Sequence, residues 1–121
     1  MFQKLGEINE NLQAILTLEF GNGFSFDCLL DTGFQGTLVI PRNIANENSL
    51  IITGREAFIG AESSSIEFDT SFVEINWLGD KFVLPVLVSE STEALIGVEL
   101  LIDTILEIDY INLKVKITKP N

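Results

Sequence analysis

Apolar residues recur at every second position along much of the chain, the period of strands that bury one face. Leu12, Ala14, Leu16, Leu18 and Phe20 alternate with Gln13, Thr17 and Glu19, and Phe24, Phe26, Cys28 and Leu30 repeat the pattern after a Gly21-Asn22-Gly23 hairpin turn. Thr37 to Ile40 predicts a short buried strand stopped by Pro41, with one helical turn over residues 41–46. Leu50-Ile51-Ile52 and then Arg55 to Ile59 read as strand. Gly60-Ala61-Glu62 reads as a loop tip, and Ser65 to Asp69 as the way back. Phe72 to Trp77 and Lys81 to Val88 form another hairpin, in which Trp77 is expected to pack at the shoulder and Pro85 marks an edge or a bulge. Val98 to Thr104 predicts a short helix, with Glu99 in its first turn where the dipole favours an acid. Two more short strands, Glu107 to Tyr110 and Leu113 to Thr118, close the chain. Many short strands and one short C-terminal helix predict an all-β protein, a closed or nearly closed barrel.

One stretch breaks this pattern in an informative way. In Leu29-Leu30-Asp31-Thr32-Gly33-Phe34-Gln35-Gly36 an apolar strand ends abruptly in an acid, a hydroxyl and a glycine. A carboxylate thus leaves a half-buried strand into a tight loop, where it is available as acid or base. Asp-Thr-Gly alone is ordinary turn chemistry. A second segment stands well downstream, Leu95-Ile96-Gly97, where an apolar pair and a glycine lead into the expected helix.

Together, in this order, Leu29-Leu30-Asp31-Thr32-Gly33 and Leu95-Ile96-Gly97 resemble the two motifs of the retropepsin-like (clan AA) aspartic proteases. The likeness extends from about Leu12 to Ile117, and Phe34-Gln35-Gly36 looks more like the microbial members than the viral ones. The resemblance implies a closed acid-protease barrel, aspartic endopeptidase activity with Asp31 as the catalytic residue, and no cofactor or metal. It implies that Thr32, Gly33, Leu95, Ile96 and Gly97 support the active-site loop. It also implies that Phe34, Ile59, Gly60, Ala61 and Glu62 contact substrate, the last four from a flap hairpin. Hydrolysis by carboxylates takes two of them, one ionised and one protonated. A single Asp-Thr-Gly therefore calls for a homodimer that sets Asp31 against its own copy across a two-fold axis. Gln35 and Val98 depart from many viral members, which carry an acid and an arginine at the matching places. Phe34 stands where those members have a small residue.

Composition narrows the remaining choices. A chain of 121 residues, 46% of them hydrophobic, is expected to form one domain, 1–121, with residues 1–11 as a flexible or dimer-contacting arm. A formal net charge of −11 argues against nucleic acid or an anionic membrane as partner. The absence of histidine excludes Ser-His and Cys-His catalysis in the usual form and any histidine-ligated metal. No apolar run nears the roughly 18 residues of a membrane span, and there is no signal-peptide pattern, so a cytoplasmic location is expected. The lone Cys28 is expected to be a buried thiol. An alternative from another class is a non-catalytic dimeric β-barrel that binds extended peptides or serves as an interaction module.

Overall fold

The computed structural model describes residues 1–59 and 64–121. Among these, ten strands share one hydrogen-bonded sheet. They are β1 (Phe2–Ile8), β2 (Ala14–Phe20), β3 (Ser25–Leu30), β4 (Leu38–Pro41), β5 (Gly54–Ile59), β6 (Ser65–Trp77), β7 (Asp80–Ser89), β8 (Ala94–Ile96), β9 (Ile105–Asp109) and β10 (Lys114–Lys119). A short helix α1 (Arg42–Glu47) follows β4, and a 3-10 helix, Val98–Leu101, follows β8.

The alternation sets which faces point inward. On β2, Leu16, Leu18 and Phe20 are buried while Thr17 and Glu19 face solvent. β3 runs antiparallel to β2, which places Leu18 opposite Phe26 and Leu16 opposite Cys28. Phe20, Phe24 and Phe26 form an aromatic cluster, with Phe20 and Phe26 edge to face at 4.9 Å between centroids. Ile40, Ile75, Val86, Val88, Ile96 and Ile117 complete the interior. Withdrawing each such side chain fully from water stabilises the fold by about 1.5–3 kcal/mol.

The pairings close on themselves. From β2 they pass to β3, β8, β4, β7 and β6, and β6 returns to β2 through Glu19–Asn76 and Phe20–Ile75. This ring realises the closed all-β architecture expected from the alternation. Two of its contacts are parallel, β3 with β8 and β4 with β7, and both bring distant segments together beside the Asp31 loop. Outside the ring, β1, β10 and β9 extend from β2, and β5 extends from β6.

Several local expectations shift. Residues 2–8, expected within an arm, form β1, which pairs antiparallel with β10 from Phe2–Lys119 to Glu7–Lys114. Ser65 to Asp69 and Phe72 to Trp77 are one unbroken strand, because Thr70 pairs with Gly54 on one side and Leu87 on the other. Leu50 to Thr53 is not strand, for these residues bond singly: Leu50 N–H to Ala45, Thr53 N–H to Thr70, and the Ile51 carbonyl to the Ser71 hydroxyl. Pro85 lies on β7 between β6 and β4, yet its carbonyl accepts the Thr37 hydroxyl at 2.6 Å. N–H and C=O of one strand residue point the same way, so the missing proline N–H is on that side and the β6 ladder loses nothing. Trp77 is buried, and its indole N–H donates to the Leu100 carbonyl at 3.1 Å, the shoulder packing expected of it. No helix among the described residues is long and apolar enough to cross a membrane.

Candidate active site

β3 ends at Leu30, opposite Ile96 of β8, and the Asp31 N–H continues the ladder by donating to the Ile96 carbonyl at 2.9 Å. The chain then turns. The Gly33 N–H donates to Oδ1 of Asp31 at 2.9 Å, and the Phe34 N–H donates to the Asp31 carbonyl at 3.1 Å. An aspartate that accepts the amide two residues on is a self-closing turn, and it fixes the direction of the carboxylate. Asp31 is half-buried, and Thr32 and Gly33 are exposed. The Thr32 hydroxyl makes no hydrogen bond among the described residues.

The loop is held from beneath by the second motif. Gly97, Val98 and Glu99 donate their N–H groups to the carbonyls of Thr37, Phe34 and Gly36 at 2.9, 3.0 and 3.1 Å. This approach needs a glycine. A Cβ on Gly97 would lie 2.1 Å from the Gly36 carbonyl oxygen and 2.6 Å from Cδ2 of Phe34. The expected helix over Val98 to Thr104 is shorter than predicted: only a 3-10 turn, Val98–Leu101, forms, starting with Leu100 N–H to the Gly97 carbonyl at 3.2 Å. It stops where the Leu101 carbonyl accepts both the N–H and the hydroxyl of Thr104, and Asp103 takes a left-handed φ of 63°.

Two clefts open on either side of Phe34. The smaller, about 430 Å³, holds Asp31 and is walled by Val39, Phe58, Phe68, Leu87 and Leu95, with Glu93 at its margin. The larger, about 520 Å³, does not contain Asp31. It runs past Gln35, Gly36, Phe72 and Pro85, with Glu56 and Glu99 among its lining residues. Phe34, Phe58 and Leu87 border both. Phe34 is therefore the partition of the groove rather than part of the sealed interior. Of the expected flap residues, Ile59 ends β5, and Gly60, Ala61 and Glu62 lie outside the described residues.

The hairpin of β5 and β6 reaches these clefts with the face that carries Glu56, Phe58, Phe68 and Thr70. Phe58 and Phe68 meet edge to face at 5.7 Å. The opposite face carries charge. Arg55 reaches Glu67 and Asp69, each at 3.3 Å, and Arg42 of α1 joins Asp69 at 2.8 Å to Glu90 at 2.7 Å. Hydrogen bonds that the Arg42 guanidinium donates to Glu90 and Asp69 hold it above its ordinary pKa. Beneath the loop, Cys28 is sealed between β2 and β8, and burial, with a smaller push from Asp27, raises its thiol to about 12. A thiol so protonated is packing, not a nucleophile. Among the described residues no three His, Cys, Asp or Glu side chains converge as metal ligands. Phe58, Phe68 and Glu56 were not singled out from sequence, and Glu99 was read only as a helix-start acid. The one signal on the hairpin is the apolar–acid alternation Ile66-Glu67-Phe68-Asp69 of β6, which gains meaning only when Phe68 is known to stand opposite Glu56.

A closed β ring with an aspartate loop at one mouth, pinned from below by a glycine-led turn, is the architecture of the acid proteases. More particularly, the fold is that of the retropepsin-like aspartic proteases. A retropepsin-like aspartic protease from Rickettsia conorii superposes with a TM-score of 0.71 at 14% identity, over 95% of this chain and 89% of that one. EIAV protease in complex with an inhibitor gives 0.60 at 20% identity, over 77% and 88%. A foamy viral protease-reverse transcriptase gives 0.52 at 19% identity, over 70% of this chain and 11% of that one. The sequence matches no family model and no curated protein.

Proposed function

We propose that this chain is an aspartic endopeptidase that works as a homodimer, with Asp31 of each copy forming the catalytic pair. The observation that carries the proposal is the held carboxylate. Asp31 sits at the margin of a peptide-sized groove, oriented by the Gly33 amide, in a loop locked by the amides of Gly97, Val98 and Glu99. In the proposed mechanism the two carboxylates share one proton, because like charges in contact do not both ionise, as in aspartic proteases generally. The ionised Asp31 takes a proton from water as that water attacks the peptide carbonyl. The protonated one donates to the carbonyl oxygen, and a proton then passes to the leaving amine as the C–N bond breaks. Apparent pKa values for this chemistry belong to the pair. Thr32, exposed and without a hydrogen-bond partner among the described residues, bonds across the two-fold axis in this proposal. Gly33, Leu95, Ile96 and Gly97 hold the loop. Phe34 and the β5–β6 hairpin contact the peptide, whose backbone adds to the hairpin's strands.

The test is cleavage of a diverse peptide mixture between pH 4 and 7, at a protein concentration that populates the dimer, beside an Asp31→Asn control. Cleavage that disappears in the control supports the proposal. A soluble dimer that cleaves nothing moves the reading to a peptide-binding barrel on the same groove. Two copies at −11 repel each other, so the dimer dissociation constant is expected to fall as salt rises, because screening acts within about 10 Å at 0.1 M. An unchanged constant between low and high salt contradicts that expectation.

A further inference from the structure

We infer that the larger cleft is a subsite for a lysine or arginine side chain of the extended peptide, and that Glu56 and Glu99 select it. The inference rests on the peptide-hydrolase reading for the nature of the ligand, and on the cleft's own chemistry for its preference. The cleft is about 520 Å³ and adjoins the Asp31 cleft, with which it shares Phe34, Phe58 and Leu87 as walls. Its walls are largely apolar, which suits an aliphatic stem. Two carboxylates, Glu56 and Glu99, stand among the lining residues, and no Lys or Arg lines either cleft.

What separates these two acids from Glu67, Asp69 and Glu90 nearby is the lack of a counter-charge, which they share with most acids of the chain. Among the described residues neither Glu56 nor Glu99 enters an ion pair, whereas Glu67, Asp69 and Glu90 nearby are all matched. The two cations within reach are already committed elsewhere. Arg55 follows the strand alternation to the other face of the hairpin and pairs there with Glu67 and Asp69, and Arg42 is held between Asp69 and Glu90. Glu56 shares its face with Phe58, so the acid and the aromatic wall are presented together. A basic side chain lays its methylenes on such a wall and brings its charged head to the carboxylates. A cleft lined by one sign of charge, with apolar walls that focus the field, repels an acidic side chain. The adjoining cleft, walled by Val39, Phe68 and Leu95, favours an apolar neighbour beside the scissile bond.

The experiment uses short peptides that carry lysine, norleucine or glutamate at each position in turn. Their binding to the non-hydrolysing Asp31→Asn dimer is measured by fluorescence anisotropy, and their cleavage by the unaltered dimer is measured alongside. At one position lysine is expected to bind about tenfold more tightly than norleucine, the size of one charge-assisted hydrogen bond, with glutamate weakest. Glu56 and Glu99 are both exposed, so Glu56→Gln with Glu99→Gln leaves the fold intact. In that double variant the lysine advantage is expected to shrink to about threefold or less, and likewise at about 0.5 M salt. Norleucine equal to lysine at every position overturns the inference, as does a lysine preference that survives both substitutions. Lysine-selective binding without cleavage by the unaltered dimer upholds the subsite and overturns the hydrolase reading. Cleavage with no basic preference does the reverse. No binding of any peptide overturns both.

Discussion

The loop that carries Asp31 and the hairpin that faces it across the groove are held by different forces. Around Asp31 the ties are backbone hydrogen bonds between segments sixty or more residues apart, seated on Leu38, Ile40 and Ile96, all sealed from solvent. The β5–β6 hairpin has few such anchors. Ahead of Asp69, where β6 joins β7, Phe58 and Ile66 are exposed, and among the described residues the ties beyond the hairpin's own ladder there are the ion pairs of Arg55 and Arg42. Buried backbone bonds are insensitive to salt, and their loss leaves desolvated polar groups, whereas exposed ion pairs contribute little and are screened. The contrast suits the proposed activity, which needs a carboxylate that stays put and a cover that moves.

The sharpest way to break the comparison is Gly97→Ala. The new Cβ would meet backbone, the Gly36 carbonyl oxygen at 2.1 Å, and backbone has nowhere to go. The expected cost is about 3 kcal/mol, from overpacking and from stretched amide bonds to residues 34–37. For a chain of this size that lowers the thermal midpoint by about 10 °C. A midpoint within about 2 °C of the unaltered protein would show that the loop is not locked as described.

Cys28 probes the same locked half through pH. Its thiol ordinarily ionises near 9.0, and burial raises it to about 12. The unfolded chain therefore releases this proton from pH 9 upward while the folded chain keeps it. The sign follows: this contribution to stability is intact below pH 9 and is lost as pH rises toward 12, by at most about 1.4 kcal/mol per pH unit. Urea midpoints at pH 8, 9 and 10 are expected to fall more steeply for the unaltered protein than for Cys28→Ala. Parallel slopes would mean that the thiol reaches water in the native state.

Gly36→Ala tests the boundary between the two regions. Here the Cβ would meet only the far end of the Phe34 ring, with Cζ at 2.4 Å and Cε1 at 2.8 Å. A ring swings where a carbonyl does not, so the expected cost is about 1 kcal/mol, a third of that for Gly97→Ala. The displaced ring changes the partition between the clefts, so peptide affinity is expected to change more than stability. Equal losses for the two variants would contradict the distinction between backbone and side-chain obstruction.

Legibility in the sequence follows the same division. The alternation of Leu16, Leu18 and Phe20, the abrupt acid at Asp31 and the glycine at Gly97 are local features, and local features announce strands and turns. Why Gly97 is a glycine was not legible, because the reason is a carbonyl sixty-one residues earlier. β1 gave no local sign either: Gly6 interrupts it, and its partner β10 lies at the other end of the chain. The expected helix after Gly97 ends early as a 3-10 turn, where the Leu101 carbonyl takes the N–H and hydroxyl of Thr104 and Asp103 turns left-handed, an ending that propensity does not see. Glu56 and Glu99 became visible only when the ring closed and brought β5 and the 3-10 turn to one cleft.

The smallest effect is expected from Arg42→Gln, and it tests whether the two regions are independent. The substitution removes contacts to Asp69 at 2.8 Å and Glu90 at 2.7 Å, but Arg55 keeps its bond to Asp69. The Arg42 side chain is one-third exposed, so the loss is expected to be about 0.5–1 kcal/mol at low salt. It should vanish near 1 M salt, where screening reaches to about 3 Å. Global stability is the less telling readout. Hydrogen exchange should quicken at the β5 amides and at Ser65 to Thr70, because α1 no longer tethers the base of the hairpin. The amides of Asp31, Gly97 and Val98 should exchange as before, since nothing in their ladder touches Arg42. Faster exchange at those amides as well would show that the ion pairs brace the Asp31 loop. Hairpin and loop would then be one mechanical unit rather than two.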